Sequence, residues 1–238
     1  MHDARGAEEG RERTAGTWQL PLPGWVRLVL WTGLLAVAAY VAGWAVAGSL
    51  RAGYEPREQA ISELFELGAP AASRAILVAS LLLSGVVFLA LAPALHRTLP
   101  GAGRSGPVLV AVAGIGTLGV VAAPCTPGCP GAASSTIDLW HTITAGTGYT
   151  ALAAAPLAFG WRLRAAEPRL ARWSAVVGGA AIVLFALHTL DLGLFAPGVQ
   201  QRLFNTVADA WYVLIAAAIL LRDARRRRRV TVAQQAGP

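Results

Sequence analysis

The chain has 238 residues, of which 55% are hydrophobic and only 14% are charged. A soluble domain usually carries about 25% charged residues, so this composition argues against a soluble enzyme and against a disordered protein. The formal net charge of +7 comes from arginines in short clusters between long uncharged runs, which is the pattern of a membrane protein rather than of a nucleic-acid-binding protein.

Six stretches are long and apolar enough to form helices that cross a bilayer, since a hydrocarbon core of about 30 Å needs about 20 helical residues. They cover residues 25–50, 75–95, 107–124, 136–160, 173–195 and 204–221. The sequence therefore predicts an all-α polytopic membrane protein, a bundle of six transmembrane helices. The transmembrane domain spans residues 23–221, between a tail at 1–22 and a basic tail at 222–238.

The arginines predict the orientation of the bundle. Sixteen of the 20 lie in the two tails, at the start of the first span, and in the loops after the second and fourth spans, and only four lie on the other side. Positive residues concentrate on the cytoplasmic side of a membrane. We therefore expect a multi-pass protein of the plasma membrane with both termini in the cytoplasm.

The loop after the first span contains a short amphipathic pattern on the outer face. Pro56 stands where a helix can begin, and hydrophobic residues follow at helical spacing at Ile61, Leu64 and Phe65. The opposite side presents Ser62 and Glu63, either as a solvated polar face or as a lid that brings one of them toward a site in the bundle.

The two cysteines lie in the outer loop after the third span. Cys125 and Cys129 belong to the run Pro124–Pro130, which is rich in proline and glycine. An oxidising compartment and a tight turn favour a disulfide between them. The alternatives are a reactive pair or a soft metal site, which would need further thiols or histidines.

The fourth span begins with a helix-capping pattern. Ser135 followed by Asp138 predicts that the helix starts near residue 136. His141 then lies in the second turn, and its face continues through small residues to Gly148, which would let a neighbouring helix approach closely.

The last two spans carry further polar residues in their outer halves. His188 and Asp191 are three residues apart, and Asn205 and Asp209 are four apart, so each pair shares a helix face. Together with His141 they are predicted to lie at similar depth. They form either a shared polar pocket or unrelated structural contacts.

A shared pocket would suit an intramembrane enzyme acting on a lipid or isoprenoid. His141 and His188 are the candidate general bases or metal ligands. Asp191 and Asp209 would orient these histidines or act as metal ligands themselves. Glu63 would be the acid of the lid, with Ser62 beside it. The two histidines and two aspartates could hold zinc in a hydrolase. A cyclase would instead use a carboxyl group as proton donor to an isoprenoid, with aromatic neighbours stabilising the cation.

Other functions remain open. His141 and His188 could be the two axial ligands of a haem in an electron carrier. An acidic vestibule could bind a cation in a transporter, and a structural or accessory role without catalysis is a further alternative. The partners expected are the lipid bilayer and a lipid or isoprenoid substrate, with no nucleic acid.

The chain resembles a bacterial family of six-helix integral membrane proteins known as a domain of unknown function (number nine-nine-eight). The residues that carry the resemblance are Arg57–Leu64 with Gly68–Pro70, the cysteine run Pro124–Pro130, and His141. It covers roughly residues 25–221 and implies the fold and topology without a settled activity. Many members have an acidic residue after the first cysteine, where this chain has Thr126, which weighs against an ion-binding loop. The Ser62 and Glu63 segment is also distantly similar to eukaryotic proteins that remodel lipid anchors.

Overall fold

The computed structural model describes residues 18–190 and 195–235, and over these residues the chain is helical without any strand. The long helices are α1 Gly24–Ser49, α2 Ala71–Thr98, α3 Ser105–Ala122, α4 Thr136–Leu163, α5 Pro168–Leu190 and α6 Pro197–Gln235. A short 3₁₀ helix, Ile61–Phe65, lies between α1 and α2. The predicted all-α bundle with a small helix after the first span is confirmed.

Five of the six long helices in the described part of the chain are long and apolar enough to cross a membrane. Helix α4 is not among these five, although its 28 residues equal the length of α2. Its first turns contain Asp138 and His141, which lower its mean hydropathy, yet these two side chains are only 1% and 9% exposed. The polar groups face the interior of the bundle, as intramembrane polar residues normally do. The chain is thus a multi-pass helical membrane protein.

The helices pack in the order of the sequence, and α6 returns to contact α1, which closes the ring. We call the end that carries the 3₁₀ helix and the two cysteines the cysteine end, and the opposite end the arginine end. At the arginine end, buried Asp223 of α6 accepts a hydrogen bond from the backbone N–H of Leu22 at 2.9 Å and pairs with Arg27 and Arg227. The segment before α1 is therefore tied to α6 through charges that compensate one another.

A second ion pair at the arginine end centres on Glu167, in the short connection between α4 and α5. Both guanidinium Nη atoms of Arg222 donate to its carboxylate, at 2.5 and 2.9 Å. The indole N–H of Trp18 donates to the same carboxylate at 2.6 Å. The forked arginine contact and the indole fix the turn between α4 and α5 against α6.

Helix α6 begins at Pro197, seven residues before the predicted start of the sixth span at 204. Proline suits the first turn of a helix because it lacks the N–H that would be unpaired there. The polar residues Gln200 and Gln201 lie in this first part of the helix, and both are buried. The helix also continues through residues 222–235, which the sequence had predicted as a tail.

The earlier start of α6 places its polar residues further from the beginning of the helix. Asp209 lies twelve residues into α6, about 18 Å along its axis at 1.5 Å per residue, whereas His141 lies about 8 Å into α4. That these groups lie at similar depth in the membrane stays a prediction.

Candidate functional site

An internal cavity of about 90 Å³ lies inside the ring, between the 3₁₀ helix and the middle of the bundle. One water needs about 10–15 Å³ by this measure, so the space admits roughly six to nine groups of that size. Helices α1 and α2 contribute mainly aliphatic and aromatic walls, whereas α4 and α6 contribute the polar ones. The polar lining residues are Tyr40, Ser62, Ser84, Thr117, His141, Thr144, Tyr149, Gln201, Asn205, Asp209 and Tyr212.

One face of α6 forms the polar wall. Gln201, Asn205, Asp209 and Tyr212 recur at intervals of three and four residues and all line the cavity, as expected for one side of a helix. Asp209 is only 6% exposed. Its Oδ2 atom and the hydroxyl of Tyr212 have no hydrogen-bond partner among the described residues. Buried polar atoms normally find partners, so these two are available to a bound molecule.

Tyr149 of α4 connects the polar wall to the rest of the bundle. Its hydroxyl accepts hydrogen bonds from Nε2 of Gln201 at 3.0 Å and from Nδ2 of Asn205 at 3.5 Å. The Oε1 atom of Gln201 accepts from the backbone N–H of Ile61 at 2.6 Å. The 3₁₀ helix is thereby fixed to α4 through one glutamine of α6.

The 3₁₀ helix covers the cavity at the cysteine end. Ile61, Ser62 and Phe65 line the cavity, whereas the carboxylate of Glu63 accepts hydrogen bonds from the backbone N–H of Ala60 at 2.8 Å and from Gln59 Nε2 at 2.7 Å. Glu63 thus closes a capping box and is not among the lining residues. Of the two lid residues predicted from the sequence, the structure brings Ser62 to the cavity.

His141 lies beneath this lid. Its Nδ1 atom is 2.8 Å from the carbonyl oxygen of Ala123, and its ring centroid is 5.9 Å from that of Phe65. Asp138, one turn earlier, receives hydrogen bonds from Ser135 and Thr126. The predicted capping pattern at the start of α4 is present, and it places His141 on the inner face of the helix.

His188 of α5 does not line the cavity among the described residues. The rings of Tyr149, Phe185 and Phe204 pack at centroid distances of 4.9–6.0 Å between α5 and the cavity. Asp191 lies outside the described residues.

Of the four predicted ligands, His141, His188 and Asp209 are not brought together as a metal cluster among the described residues. The one group of metal-ligating side chains that they do bring together is Cys125, Cys129 and His141, whose ligand atoms lie within 4.8 Å of one another. The pairing of His141 with His188 across one haem receives no support from the cavity lining.

The cysteine loop contains the predicted disulfide, with a Cα–Cα distance of 5.0 Å between Cys125 and Cys129. Two buried carboxylates hold the loop. Asp138 accepts from the N–H of Thr126 at 2.7 Å, and Glu66 accepts from the N–H of Gly128 at 2.7 Å.

Arg51 donates to Glu66 at 2.7 Å as well, so the loop after α1 and the cysteine loop share one acid. Nothing in the local sequence distinguishes Glu66 from its acidic neighbours, because the difference depends on which carboxylate meets the cysteine loop.

Arg202 of α6 is a further residue that the sequence analysis did not identify. Its guanidinium donates to the carbonyls of Pro56 and Gln59 at 2.6 and 2.9 Å, and to the hydroxyl of Tyr54 at 2.6 Å. Burial raises the pKa of the Tyr54 phenol above its ordinary value, although Arg202 acts in the opposite direction. Arg202 therefore fastens the loop after α1 to the first turns of α6 and keeps the lid in place.

Comparison with known proteins identifies one family. The family described as "protein of unknown function (DUF998)" matches residues 34–218, which include most of the bundle, the lid and every residue of the cavity wall named above. No curated protein and no solved structure matches the chain.

Proposed function

The chain belongs to the DUF998 family, and we propose that it is a membrane enzyme that draws an isoprenoid or similar lipid chain into the cavity and rearranges it by proton transfer through Asp209. The observation that carries this proposal is a buried carboxyl group without a hydrogen-bond partner for Oδ2 among the described residues, in a cavity whose walls from α1 and α2 are mainly aliphatic and aromatic. A carboxyl group positioned in this way can act as a general acid or base.

The shape and lining of the cavity favour a mainly apolar ligand. Leu81, Val87 and Leu91 of α2 and Val37 of α1 form one side, and burying hydrocarbon against them is favourable at about 25 cal/mol per Å². A ligand with one reactive double bond or one polar group would present that group to α6. A hydrophilic metabolite would leave its polar atoms facing the apolar side without partners.

The aromatic residues suit a reaction that passes through a cation. The rings of Phe88 and Tyr212 lie 4.8 Å apart between centroids, and Tyr40 and Tyr149 line the same cavity. Ring faces attract positive charge. A proton moving from the Asp209 carboxyl to a double bond would form a C–H bond and a carbocation. Loss of a proton from a neighbouring carbon to the Asp209 carboxylate would form a new double bond and restore the acid, so that the substrate is isomerised or cyclised without a co-reactant.

His141 and Ser62 would contact the ligand at its other end, beneath the lid. Both line the cavity. A hydroxyl or similar polar head of the lipid could accept or donate a hydrogen bond there. In this arrangement the chain of the substrate points toward Asp209 and the head toward the lid.

The arginine distribution supports an orientation in which the cysteine end faces the outside of the plasma membrane. The disulfide fits an oxidising compartment on that side. The cavity would then receive its substrate from the outer leaflet, with the lid at the water interface.

The proposal can be tested with the purified full chain in vesicles that contain a linear polyprenol, incubated in deuterium oxide. We expect conversion to an isomer that carries deuterium at carbon, detected by mass spectrometry of the extracted lipid. Asp209→Asn keeps the shape of the side chain and should lower the rate by at least 100-fold, because a positioned acid or base contributes roughly 10²–10⁴.

Glu58→Gln is the matched control, since it removes one negative charge from an exposed residue at the cysteine end. It should convert the polyprenol at the rate of the unaltered chain. Deuterium incorporation that is equal in Asp209→Asn and Glu58→Gln, with both variants unfolding at the same temperature, would refute the role of Asp209. Failure of the unaltered chain to convert or bind the polyprenol would refute the substrate class.

A further inference from the structure

We infer that Cys125, Cys129 and His141 form a redox-dependent zinc site at the cysteine end of the cavity. In the disulfide form the two sulfurs are bonded to each other, and the site is closed. After reduction, two thiolates and one imidazole face one point, which is a ligand set typical of zinc with one position left for water or a substrate atom. This inference does not depend on the proposed lipid chemistry.

The distances are suitable for one metal ion. The sulfurs and a ring nitrogen of His141 lie within 4.8 Å of one another. Tetrahedral zinc with Zn–S bonds of about 2.3 Å and Zn–N bonds of about 2.0–2.1 Å places neighbouring ligand atoms roughly 3.5–3.8 Å apart. The imidazole would therefore have to approach by about 1.3 Å at most, and the two sulfurs would have to separate once their bond is broken. Both changes are within the range of side-chain rotation.

The hydrogen bond of His141 sets the tautomer that a metal ligand needs. The carbonyl oxygen of Ala123 can only accept a hydrogen bond, so Nδ1 of His141 carries the proton in their 2.8 Å contact. Nε2 then carries the lone pair. A backbone carbonyl that fixes the tautomer through the second ring nitrogen is the usual outer partner of a ligating histidine.

The cysteine loop is held in place by contacts that do not involve the disulfide. Asp138 and Glu66 accept from the N–H groups of Thr126 and Gly128, the residues adjacent to the two cysteines. The backbone N–H of Leu67 also donates to the carbonyl of Cys125 at 2.8 Å. Because these contacts remain after reduction, the thiols stay near each other and near His141, and the site is pre-organised.

The two cysteines differ in exposure in a way that permits reduction. Cys125 is 1% exposed, whereas Cys129 is only partly buried. A thiolate of a dithiol reductant can attack the sulfur of Cys129, which releases Cys125 as a thiolate. The second thiol then displaces Cys129, so the protein disulfide gains two electrons and the reductant becomes a cyclic disulfide. Zinc binding afterwards displaces the remaining thiol protons.

The test uses the purified full chain in detergent and Co²⁺ as a spectroscopic substitute for zinc. After reduction with a phosphine, we expect one Co²⁺ per chain, a sulfur-to-cobalt charge-transfer band, and displacement by Zn²⁺. The oxidised chain should show no band. His141→Ala should weaken Co²⁺ binding at least tenfold, whereas His141→Cys should retain binding with a stronger band because it supplies a third sulfur.

His96→Ala is the matched control, because His96 lies at the opposite end of the bundle in the last turn of α2. It should bind Co²⁺ like the unaltered chain. Absence of the band in the reduced unaltered chain, equal binding by the oxidised chain, or equal affinities of His141→Ala and His96→Ala would each overturn the inference. Unfolding temperatures of all variants distinguish loss of the site from loss of the fold, and His141→Cys tests the site in a chain that keeps three ligands.

Discussion

Replacing Gly116 with alanine is expected to push α3 away from α4. A Cβ atom at Gly116 would lie 2.5 Å from the Cα of Gly148 and 2.8 Å from the carbonyl oxygen of Thr144. Both contacts are with the backbone of α4, which cannot rotate out of the way. The two helices approach so closely because each carries a glycine at the crossing point, as is common between membrane helices.

The size of the effect follows from these distances. Ordinary contacts of a Cβ atom begin near 3.4 Å, so the helices would have to separate by about 0.9 Å at the crossing. A gap of about 0.5–1 Å already removes a quarter to a half of the dispersion attraction between facing atoms. Overpacked sites cost about 1–3 kcal/mol, and we expect Gly116→Ala in the upper part of that range. This corresponds to a decrease of roughly 4–12 °C in Tm.

Gly148 and Gly146, both in α4, provide a graded comparison with Gly116 of α3. A Cβ atom at Gly148 would lie 3.3 Å from the Cα of Gly116, so the neighbour would have to give by only a few tenths of an ångström. A Cβ atom at Gly146 would meet nothing within 4 Å. Gly146→Ala should therefore stabilise the chain by up to about 0.5–1 kcal/mol through its helix propensity, and Gly148→Ala should lie between the two.

The assay is thermal unfolding of the purified chain in one detergent, followed by circular dichroism. We expect Gly146→Ala to have the highest Tm, Gly148→Ala an intermediate Tm and Gly116→Ala the lowest. A Tm of Gly116→Ala equal to that of Gly146→Ala would show that the crossing of α3 and α4 is not limited by backbone contact. The reasoning from Cβ distances would then be refuted.

Two further predictions concern contacts outside the cavity. The hydrogen bonds from Arg222 hold the pKa of Glu167 below its ordinary value of 4.5, so this stabilisation is present above about pH 4.5 and is lost as the pH falls through the lowered pKa. The difference in Tm between the unaltered chain and Glu167→Gln should therefore be largest near neutral pH and disappear as the pH falls below the lowered pKa. Ser135→Ala removes the side chain that accepts from the N–H of Asp138 and should cost about 0.5–2 kcal/mol. Ser134→Ala, an exposed neighbour, should leave the free energy of unfolding unchanged, and equal losses in the two variants would contradict the capping role.

The features that the sequence predicted well depend on short-range signals. Ser135 and Asp138 are three residues apart, and their reciprocal hydrogen bonds start α4 at Thr136. Cys125 and Cys129 are separated by a turn that brings them together whatever the rest of the chain does. The small residue at Gly148 faces α3. In each case the determining contact lies within one turn or one helix face.

The features that escaped prediction depend on the rotation of helices about their axes. His188 and Asp209 each have a polar residue three or four positions away in the sequence, but of these two only Asp209 lines the cavity. Aromatic rings from three helices pack between α5 and the cavity. Tyr149 gave no signal at all, because a tyrosine in an apolar helix is equally compatible with a lipid-facing or an inward position.

The start of α6 was misplaced for a related reason. Gln201 lowers the mean hydropathy of this segment. A hydropathy scale gives glutamine the same value whether or not its amide is hydrogen-bonded, so the segment does not look like part of a membrane span. In the structure its side-chain amide bridges the backbone of Ile61 and the hydroxyl of Tyr149. A buried amide whose donor and acceptor are both used carries little of the cost that a transfer scale assigns to it.

The 39 residues of α6 make a rod of about 58 Å, whereas the hydrocarbon of a bilayer measures only about 30 Å. The rod cannot slide to adjust this mismatch, because Asp223 clamps it to Leu22 and Arg27. The turns beyond that clamp, with five consecutive arginines from Arg225, must stand among headgroups or in water. Basic segments next to a membrane helix are attracted to anionic headgroups, and the clamp at Asp223 connects this basic extension of α6 directly to the segment before α1.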